Sequence, residues 1–423
     1  MENNPCIPKA GRTIPMPSIL IAGNTARKHN STMSFPEFPV PVPGKIIKVV
    51  VTGGPCAGKT TLMAKAVQTL EARGVRVLVG PEAATTLISG MRLTPGTFGM
   101  ERFQQYIMDN QFALEAMLNS AALELASQGC DVVILCDRGK LDGLAYVNTP
   151  VIADILAAHG TNIIETRDSY DLVLHLVTAA NGAEEAYTLS NNAARNETPK
   201  QARALDIRTL NAWTGHPHLV IVGNGGGSFQ KKIATAIEII QNALGIPVPI
   251  ERERKFLALM PDLKKLVRYN PVASQIVQTY LHSSNGVERR VRQRGDGATF
   301  SFFYTEKQDL DGMTDRVERE TMISARQYAA YLAQADSRLS PVHKIRYCFP
   351  YDNQYVELDV YDGEEQYVTI EVEGIQKDAE ILFPPEITIV SEVTGDKRLS
   401  NFAIAKHGGH FPFAKLDGGG NIG

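Results

Sequence analysis

Apolar, β-branched runs separated by helical periodicity fill the first half of the chain. Ile46-Ile47-Lys48-Val49-Val50-Val51, Arg76-Val77-Leu78-Val79, Val132-Val133-Ile134-Leu135, Asp171 to Leu176 and Leu219-Val220-Ile221-Val222 each read as a short strand. Leu62 to Leu70 and Phe103 to Leu125 carry helical spacing between them. Uniformly apolar strands alternating with helices predict a parallel sheet covered on both faces. After Ile250 the pattern changes to period-two alternation. Eight strand candidates lie near 250–257, 286–294, 298–307, 314–321, 342–350, 354–361, 367–373 and 387–392. Turn signals such as Gly295-Asp296-Gly297 and Tyr351-Asp352-Asn353 separate several of them. The segments 261–281 and Ala325–Ala335 read as helical. Eight antiparallel strands suffice to close a small barrel.

The expected organisation is therefore a disordered Pro-rich arm over 1–44, an α/β domain with a parallel sheet over 45–246, an α+β domain built on a closed eight-stranded antiparallel β-barrel over 250–407, and a flexible tail over 408–423. The length of 423 residues agrees with about two to three domains. A net charge of −3 gives no sign of general nucleic-acid attraction. No apolar run reaches the ~18 residues that a spanning helix needs, and the beginning of the chain does not read as a secretory signal. The five cysteines are scattered with no Cys-x-x-Cys pair. That argues against disulfides or a zinc site and for a reducing, cytoplasmic setting.

Gly53-Gly54-Pro55-Cys56-Ala57-Gly58-Lys59-Thr60 follows the first strand and opens the first helix, with Thr61 behind it. Strand, glycine-rich loop, Gly-Lys-Thr and helix are the P-loop in its expected context. Its backbone N–H groups turn toward a phosphate chain, and the helix presents its positive end to the same anion. Lys59 would neutralise the β and γ phosphates of ATP or GTP, and the Thr60 hydroxyl would sit on Mg²⁺. Asp137, ending the third strand, is the candidate second magnesium ligand. Glu82, just after the second strand, faces the same crevice as a base, a substrate-orienting group or a helix cap. Arg138 stands beside Asp137, and Arg195 and Arg203 lie in a polar stretch that reads as a lid.

The second half places charges where a barrel would place apolar side chains. Glu251-Arg252-Glu253-Arg254-Lys255 puts Glu251, Glu253 and Lys255 on one face of a strand. The alternation recurs at Arg290, Arg292 and Arg294, at Thr305 and Lys307, at Glu318 and Glu320, at Lys344 and Arg346, at Glu357 and Asp359, and at Glu371 and Glu373. Charged faces that converge must enclose water or a ligand. The cations suit a polyphosphate, and Glu251, Glu253, Glu357, Asp359, Glu371 and Glu373 suit a divalent metal, Mg²⁺ or Mn²⁺.

Three resemblances follow from these residues and their order. Pro81-Glu82-Ala83-Ala84-Thr85-Thr86, Asp137-Arg138-Gly139, Asp142-Gly143-Leu144-Ala145-Tyr146 and Ala212-Trp213-Thr214-Gly215-His216-Pro217 resemble the NadR-type P-loop ATPase/kinase domains over roughly 45–243. This implies nucleotide binding, with phosphoryl transfer open. The Glu-x-Glu-x-Lys at 251–255, Arg290-Val291-Arg292-Gln293-Arg294-Gly295 and Val393-Thr394-Gly395-Asp396 resemble the CYTH, or triphosphate-tunnel, superfamily over about 250–407. This implies a metal-dependent site that binds or hydrolyses triphosphate compounds. The order of the two halves resembles the TRPL-translocation-defect family, which implies trafficking and a phosphoinositide head group as an alternative ligand.

Overall fold

A computed structural model describes residues 43–187, 197–225, 227–245, 253–283, 287–309, 316–373 and 380–411. The expected arm up to residue 42, lid residue Arg195, Glu251 and most of the tail lie outside these residues.

The first half is a parallel sheet of β1 (Ile46–Thr52), β2 (Arg76–Gly80), β3 (Val132–Asp137), β4 (Leu172–Leu176) and β5 (Leu219–Val222), in the order β2-β3-β1-β4-β5. Both faces are covered, as the apolar runs require. Helices Lys59–Glu71 and Phe229–Leu244 pack Leu62, Ala66, Leu70, Ile233 and Ile240 onto one face. Helix Met100–Ser127 packs Met108, Leu118 and Ala122 onto the other. β1 is central, so the loop that follows it opens at the sheet's C-terminal edge between β3 and β4. That edge is where ligands bind in doubly wound sheets.

The second half is a nine-stranded antiparallel sheet. It comprises β6 (Glu253–Leu259), β7 (Val272–Tyr280), β8 (Val287–Gly295), β9 (Phe300–Asp309), β10 (Arg316–Ile323), β11 (Val342–Tyr351), β12 (Gln354–Tyr361), β13 (Tyr367–Glu373) and β14 (Ile389–Glu392). The order is β10-β9-β8-β7-β11-β12-β13-β6-β14. The expected closed eight-stranded barrel is thus corrected to an open sheet. β14 is short and its pairing to β6 shifts register between Ile389 and Ser391, and neither β14 nor β10 pairs on its outer side among the described residues. Such an irregularity ends a ladder.

The extra strand is β7, which lies inside the segment 261–281 read as helical. Helix is confined there to Leu263–Leu266 and the single turn Val267–Tyr269. Ser274, Ile276, Gln278 and Tyr280 of β7 are buried. Two of these four are polar, so the strand's inner face lacked the apolar alternation that marks an ordinary strand. The expected helix at Ala325–Ala335 is present as Ala325–Leu332.

One face of this sheet is apolar: Phe256, Ala258, Phe349, Val356, Leu358, Val368, Ile370 and Val372 form a core. The opposite face carries the predicted charges, of which Lys255, Arg290, Arg294, Lys344, Glu357, Asp359 and Glu371 are buried, Glu357 and Asp359 fully so. The two halves meet. Cys348 and Tyr355 of the antiparallel sheet belong to the same buried cluster as Trp213 and Val50 of the first half.

Candidate functional site

The P-loop is formed as expected. Gly53 has φ +131, and a Cβ there would lie 2.0 Å from the Leu176 carbonyl oxygen, so only glycine fits against β4. Lys59 is buried and folds back, donating to the carbonyls of Gly53 (3.0 Å) and Gly54 (3.1 Å). Burial pushes its ammonium down to about 8, with the Arg138 charge adding to the effect. The Gly54 N–H donates to Asp206 Oδ1 at 2.6 Å, which anchors the loop from helix Pro199–Trp213. Thr60 is exposed at the helix start, with Cys56, Gly58 and Thr61 only partly covered and Pro55 and Ala57 buried.

Asp137 pairs with Val51 across the β1–β3 ladder, at the edge where the loop begins. Its Oδ1 is buried with no hydrogen-bond partner among the described residues, and burial pushes its carboxyl upward. A buried, unpartnered carboxylate oxygen facing a phosphate loop fits a magnesium ligand. Glu82 Oε1 accepts from Arg138 Nε at 2.8 Å and Glu82 Oε2 from Thr85 Oγ1 at 2.6 Å. Burial is the largest influence on the Glu82 carboxyl and raises it, but Arg138 and Thr85 hold it below the usual range.

The centre of this cluster is a residue to which sequence reasoning gave no role. Asp142 accepts from Arg138 Nη1 (3.1 Å), Thr52 Oγ1 (2.5 Å), the Gly139 N–H (2.8 Å) and Trp213 Nε1 (3.1 Å). The signal was Asp142-Gly143-Leu144, noticed as part of a resemblance and not as a hub. Beside it lies a cavity of about 300 Å³ lined by Glu82, Phe103, Gln104, Arg138, Tyr146 and Glu197, among others. Arg203 donates to the Ala180 carbonyl at 2.7 Å and lies 4.0 Å from Glu184, on a half-exposed helix face.

The antiparallel sheet brings six of the predicted residues into one cluster. Arg346 reaches Asp359 twice, Nε to Oδ1 and Nη2 to Oδ2, each at 2.7 Å, and also bonds Glu357 and Glu371. Lys344 Nζ lies 2.5 Å from Asp359 Oδ2, and Lys255 Nζ lies 3.0 Å from Glu371 Oε1. β11, β12, β13 and β6 are consecutive neighbours, so period-two alternation stacks these side chains on one face. Burial dominates at every site. It pushes Lys344 down to about 8 and raises Glu357. At Asp359 burial pushes up, yet Arg346 and Lys344 together bring the carboxyl below its usual value. Glu371, facing Lys255 and Arg346, is held well below it in the same way.

A second cluster forms further along the sheet. Glu320 Oε2 accepts from Thr305 Oγ1 at 2.7 Å and lies 3.5 Å from Arg292 Nη1. Glu320 Oε1 lies 3.7 Å from His218 Nε2, a side chain of the first half. Burial raises the Glu320 carboxyl, but Arg292, His218 and Arg290 bring it well below the usual range. Arg290 is buried on β8, and Lys307 of β9 stands in register with Glu288 and Glu318. Glu253 begins β6 opposite Glu373.

Glu253, Glu357, Asp359, Glu371 and Glu373 are the described carboxylates of the antiparallel sheet for which the sequence predicts a metal role. Glu357, Asp359 and Glu371 are each matched by a cation, and no group of three or more His, Cys, Asp or Glu among the described residues is placed to hold a metal ion. The four described cysteines, Cys56, Cys130, Cys136 and Cys348, form no disulfide. No helix among the described residues is long and apolar enough to cross a membrane.

The fold and loop define a P-loop α/β protein, and the family model described as AAA domain matches residues 48–232. The chain is also 35% identical over 160 residues to an inorganic triphosphatase of Nitrosomonas europaea, covering 37% of this chain and 96% of that protein, and it belongs to that protein's family. A crystal structure of an inorganic triphosphatase is 31% identical, covering 37% of this chain and 94% of the other at a TM-score of 0.27. A protein from Pyrococcus horikoshii is 20% identical, covering 30% and 80% at a TM-score of 0.24.

Proposed function

We propose that this is a two-domain protein, divided near 246–250, whose first half binds a nucleoside triphosphate and whose second half hydrolyses a triphosphate compound. The observation that carries the second part is the buried face on which Lys255, Lys344 and Arg346 face Glu357, Asp359 and Glu371. A face of buried ion pairs is costly to maintain for stability alone, so its cations are best explained by an anionic ligand. The match to the triphosphatase relative runs over 160 residues, a length that fits the 250–407 stretch.

In the first half, Lys59 would leave the Gly53 and Gly54 carbonyls for the β and γ phosphates of ATP or GTP. Thr60 and Asp137 would hold Mg²⁺, which neutralises phosphate charge when bound. In the second half, Lys255, Lys344, Arg346, Arg290, Arg292 and Lys307 would orient the phosphate chain. Mg²⁺ or Mn²⁺ there would polarise the phosphate for attack by water. Glu251, Glu253, Glu371 or Glu373 would be the carboxylates to hold it.

The test is phosphate release by the full chain across tripolyphosphate, ATP, GTP and thiamine triphosphate, with Mg²⁺, Mn²⁺ or chelator. Release from one of them that vanishes in Lys344→Met and persists in Lys59→Ala is the expected result. A soluble inositol phosphate presents the same phosphate chemistry and serves as competitor. Binding of inositol phosphate with no hydrolysis of any triphosphate would overturn the enzymatic reading.

A further inference from the structure

One turn of the first half touches both sites. Trp213 ends helix Pro199–Trp213, and the turn Trp213–His216 leads toward β5. On one side Trp213 Nε1 donates to Asp142, the residue that also holds Arg138 and Thr52 beside the P-loop. On the other side the turn is gripped by two residues of the antiparallel sheet. Tyr355 accepts from the Gly215 N–H at 2.8 Å and donates its hydroxyl to the His216 carbonyl at 3.2 Å. Arg294 Nη2 donates to the Gly215 carbonyl at 2.5 Å.

These contacts leave no slack. Trp213 and His216 are fully buried, Tyr355 is 1% exposed and Arg294 2%. Gly215 has φ +96, and a Cβ there would lie 2.5 Å from Arg167 Nη1 and 2.7 Å from Val272 Cγ1 of β7. The His216 ring bridges the Tyr170 carbonyl and the His218 N–H, each at 2.9 Å. Nδ1 accepts, so the ring is neutral with its proton on Nε2, and burial pushes it down to about 3.

Both grips extend into the charged face. Tyr355 shares its side of β12 with Glu357 and Asp359 by period two, and Cys348 Sγ lies 3.9 Å from Glu357 Oε1. Arg294 shares its side of β8 with Arg290 and Arg292. Its Nε is buried without a hydrogen-bond partner among the described residues, 3.9 Å from Asp168 Oδ2. A guanidinium that holds the turn with one nitrogen and has another donor to spare gains a bond when an anion binds beside it.

We propose that the Trp213–His216 turn is a shared wall through which nucleotide binding at the P-loop and triphosphate binding on the charged face strengthen one another. The proposal rests on the functional reading above. Phosphate in the P-loop draws Lys59 off the Gly53 and Gly54 carbonyls and adds negative charge beside Arg138, changing the forces on Asp142 and so on the Trp213 indole. Anion on the charged face engages Arg294 and tightens its hold on Gly215. Each ligand changes the pull on the same packed turn, so the second meets a wall already held in the arrangement it favours. The linkage is reciprocal by thermodynamic necessity. Tyr355 and Trp213 act here as positioning residues and touch neither ligand.

The experiment is calorimetric titration of tripolyphosphate into the full chain, with and without saturating Mg-ADP. ADP fills the P-loop without offering a triphosphate. Wild type should bind tripolyphosphate about fivefold more tightly with ADP present, the lower end of ordinary coupling. Tyr355→Phe, which keeps the ring and removes the hydroxyl, and Trp213→Phe, which removes the Nε1 donor and shrinks the ring, cut the path at opposite ends; both should lose the enhancement and keep each single-ligand affinity within about twofold. Lys59→Ala should lose it because ADP no longer binds well. If one aromatic variant fails to fold, as judged by its melting transition, the other carries the test. Affinity that is unchanged or weaker with ADP in wild type overturns the linkage, as does an enhancement that survives in both aromatic variants. Wild type that binds no tripolyphosphate at all overturns the triphosphatase reading, and the linkage with it.

Discussion

Arg346 meets Asp359 side-on, with Nε and Nη2 each 2.7 Å from a different carboxylate oxygen, and its remaining contacts go to Glu357 and Glu371. One guanidinium therefore contacts three buried carboxylates, with Lys344 and Lys255 supplying the other two positive charges. The planar fork makes this possible, since two parallel bonds reach one carboxylate while the outer edges remain free for others.

Removing that guanidinium should destabilise the fold. Arg346→Met leaves Glu357, Asp359 and Glu371 with only Lys344 and Lys255 nearby, and breaking a buried pair from one side costs about 3–5 kcal/mol. Arg346→Lys restores the charge but not the fork and should lose less. Urea unfolding of the full chain measures both. A loss below about 1 kcal/mol in Arg346→Met would show that water already screens this face.

Lys59→Ala should weaken nucleotide binding about ten- to hundredfold, because hydrogen bonds to charged groups contribute about 1.5–3 kcal/mol. Loss of its bonds to the Gly53 and Gly54 carbonyls affects the empty loop only, and both oxygens lie at a ligand-facing edge. Titration of ATP and GTP into the two proteins reads the difference. Equal affinities would remove the P-loop from the nucleotide site.

Affinity on the charged face should fall at alkaline pH. Burial brings Lys344 down to about 8 from an ordinary 10.5. The ammonium form binds phosphate, so below about 8 the site is ready. Above it, the free protein holds mostly neutral Lys344 and must take up a proton to bind. Apparent tripolyphosphate affinity should then drop up to tenfold per pH unit between about 8 and 10. Calorimetry in two buffers of different ionisation enthalpy should show proton uptake at pH 9. Lys344→Arg, which stays charged, should flatten the profile. No proton uptake in wild type at pH 9 would assign the charge of this face elsewhere.

The sequence and the structure agree most where period and chemistry point the same way. The β1 run, the Gly53–Thr60 loop and the following helix were legible together because a parallel strand, a phosphate loop and a helix start all demand their own residue types. The charged alternation at Lys344, Arg346, Glu357, Asp359 and Glu371 was legible because two residues of spacing fix a common face. β7 was not, because its inner face carries Ser274 and Gln278 where an ordinary strand carries apolar side chains. The open sheet was not either, because strand count leaves closure undecided and the register shift at Ile389–Ser391 depends on pairing to β6. Asp142 and Trp213 stand out in the sequence only as letters in motifs, and Arg294 only as one of the alternating cations. Their roles arise from contacts across 71 residues for Trp213 to Asp142 and 79 for Arg294 to Gly215, which no local pattern encodes.

Asp137 separates a metal ligand from a turn residue. Its Oδ1 is buried without a hydrogen-bond partner among the described residues, and burial raises its carboxyl. Both are unfavourable to a carboxylate with no ligand to meet. If it holds Mg²⁺, Asp137→Asn keeps the shape and removes the charge that binds the ion. Nucleotide affinity should then lose most of its Mg²⁺ dependence, while folding stability stays level or rises slightly as a buried charge is lifted. Nucleotide titrations at several Mg²⁺ concentrations, paired with thermal melts without nucleotide, read the two effects separately. Full Mg²⁺ dependence in Asp137→Asn would leave Asp137 as the end of a strand and move the ion to other ligands. A large drop in the ligand-free melting temperature would show instead that its charge serves the fold, through Lys59 and Arg138.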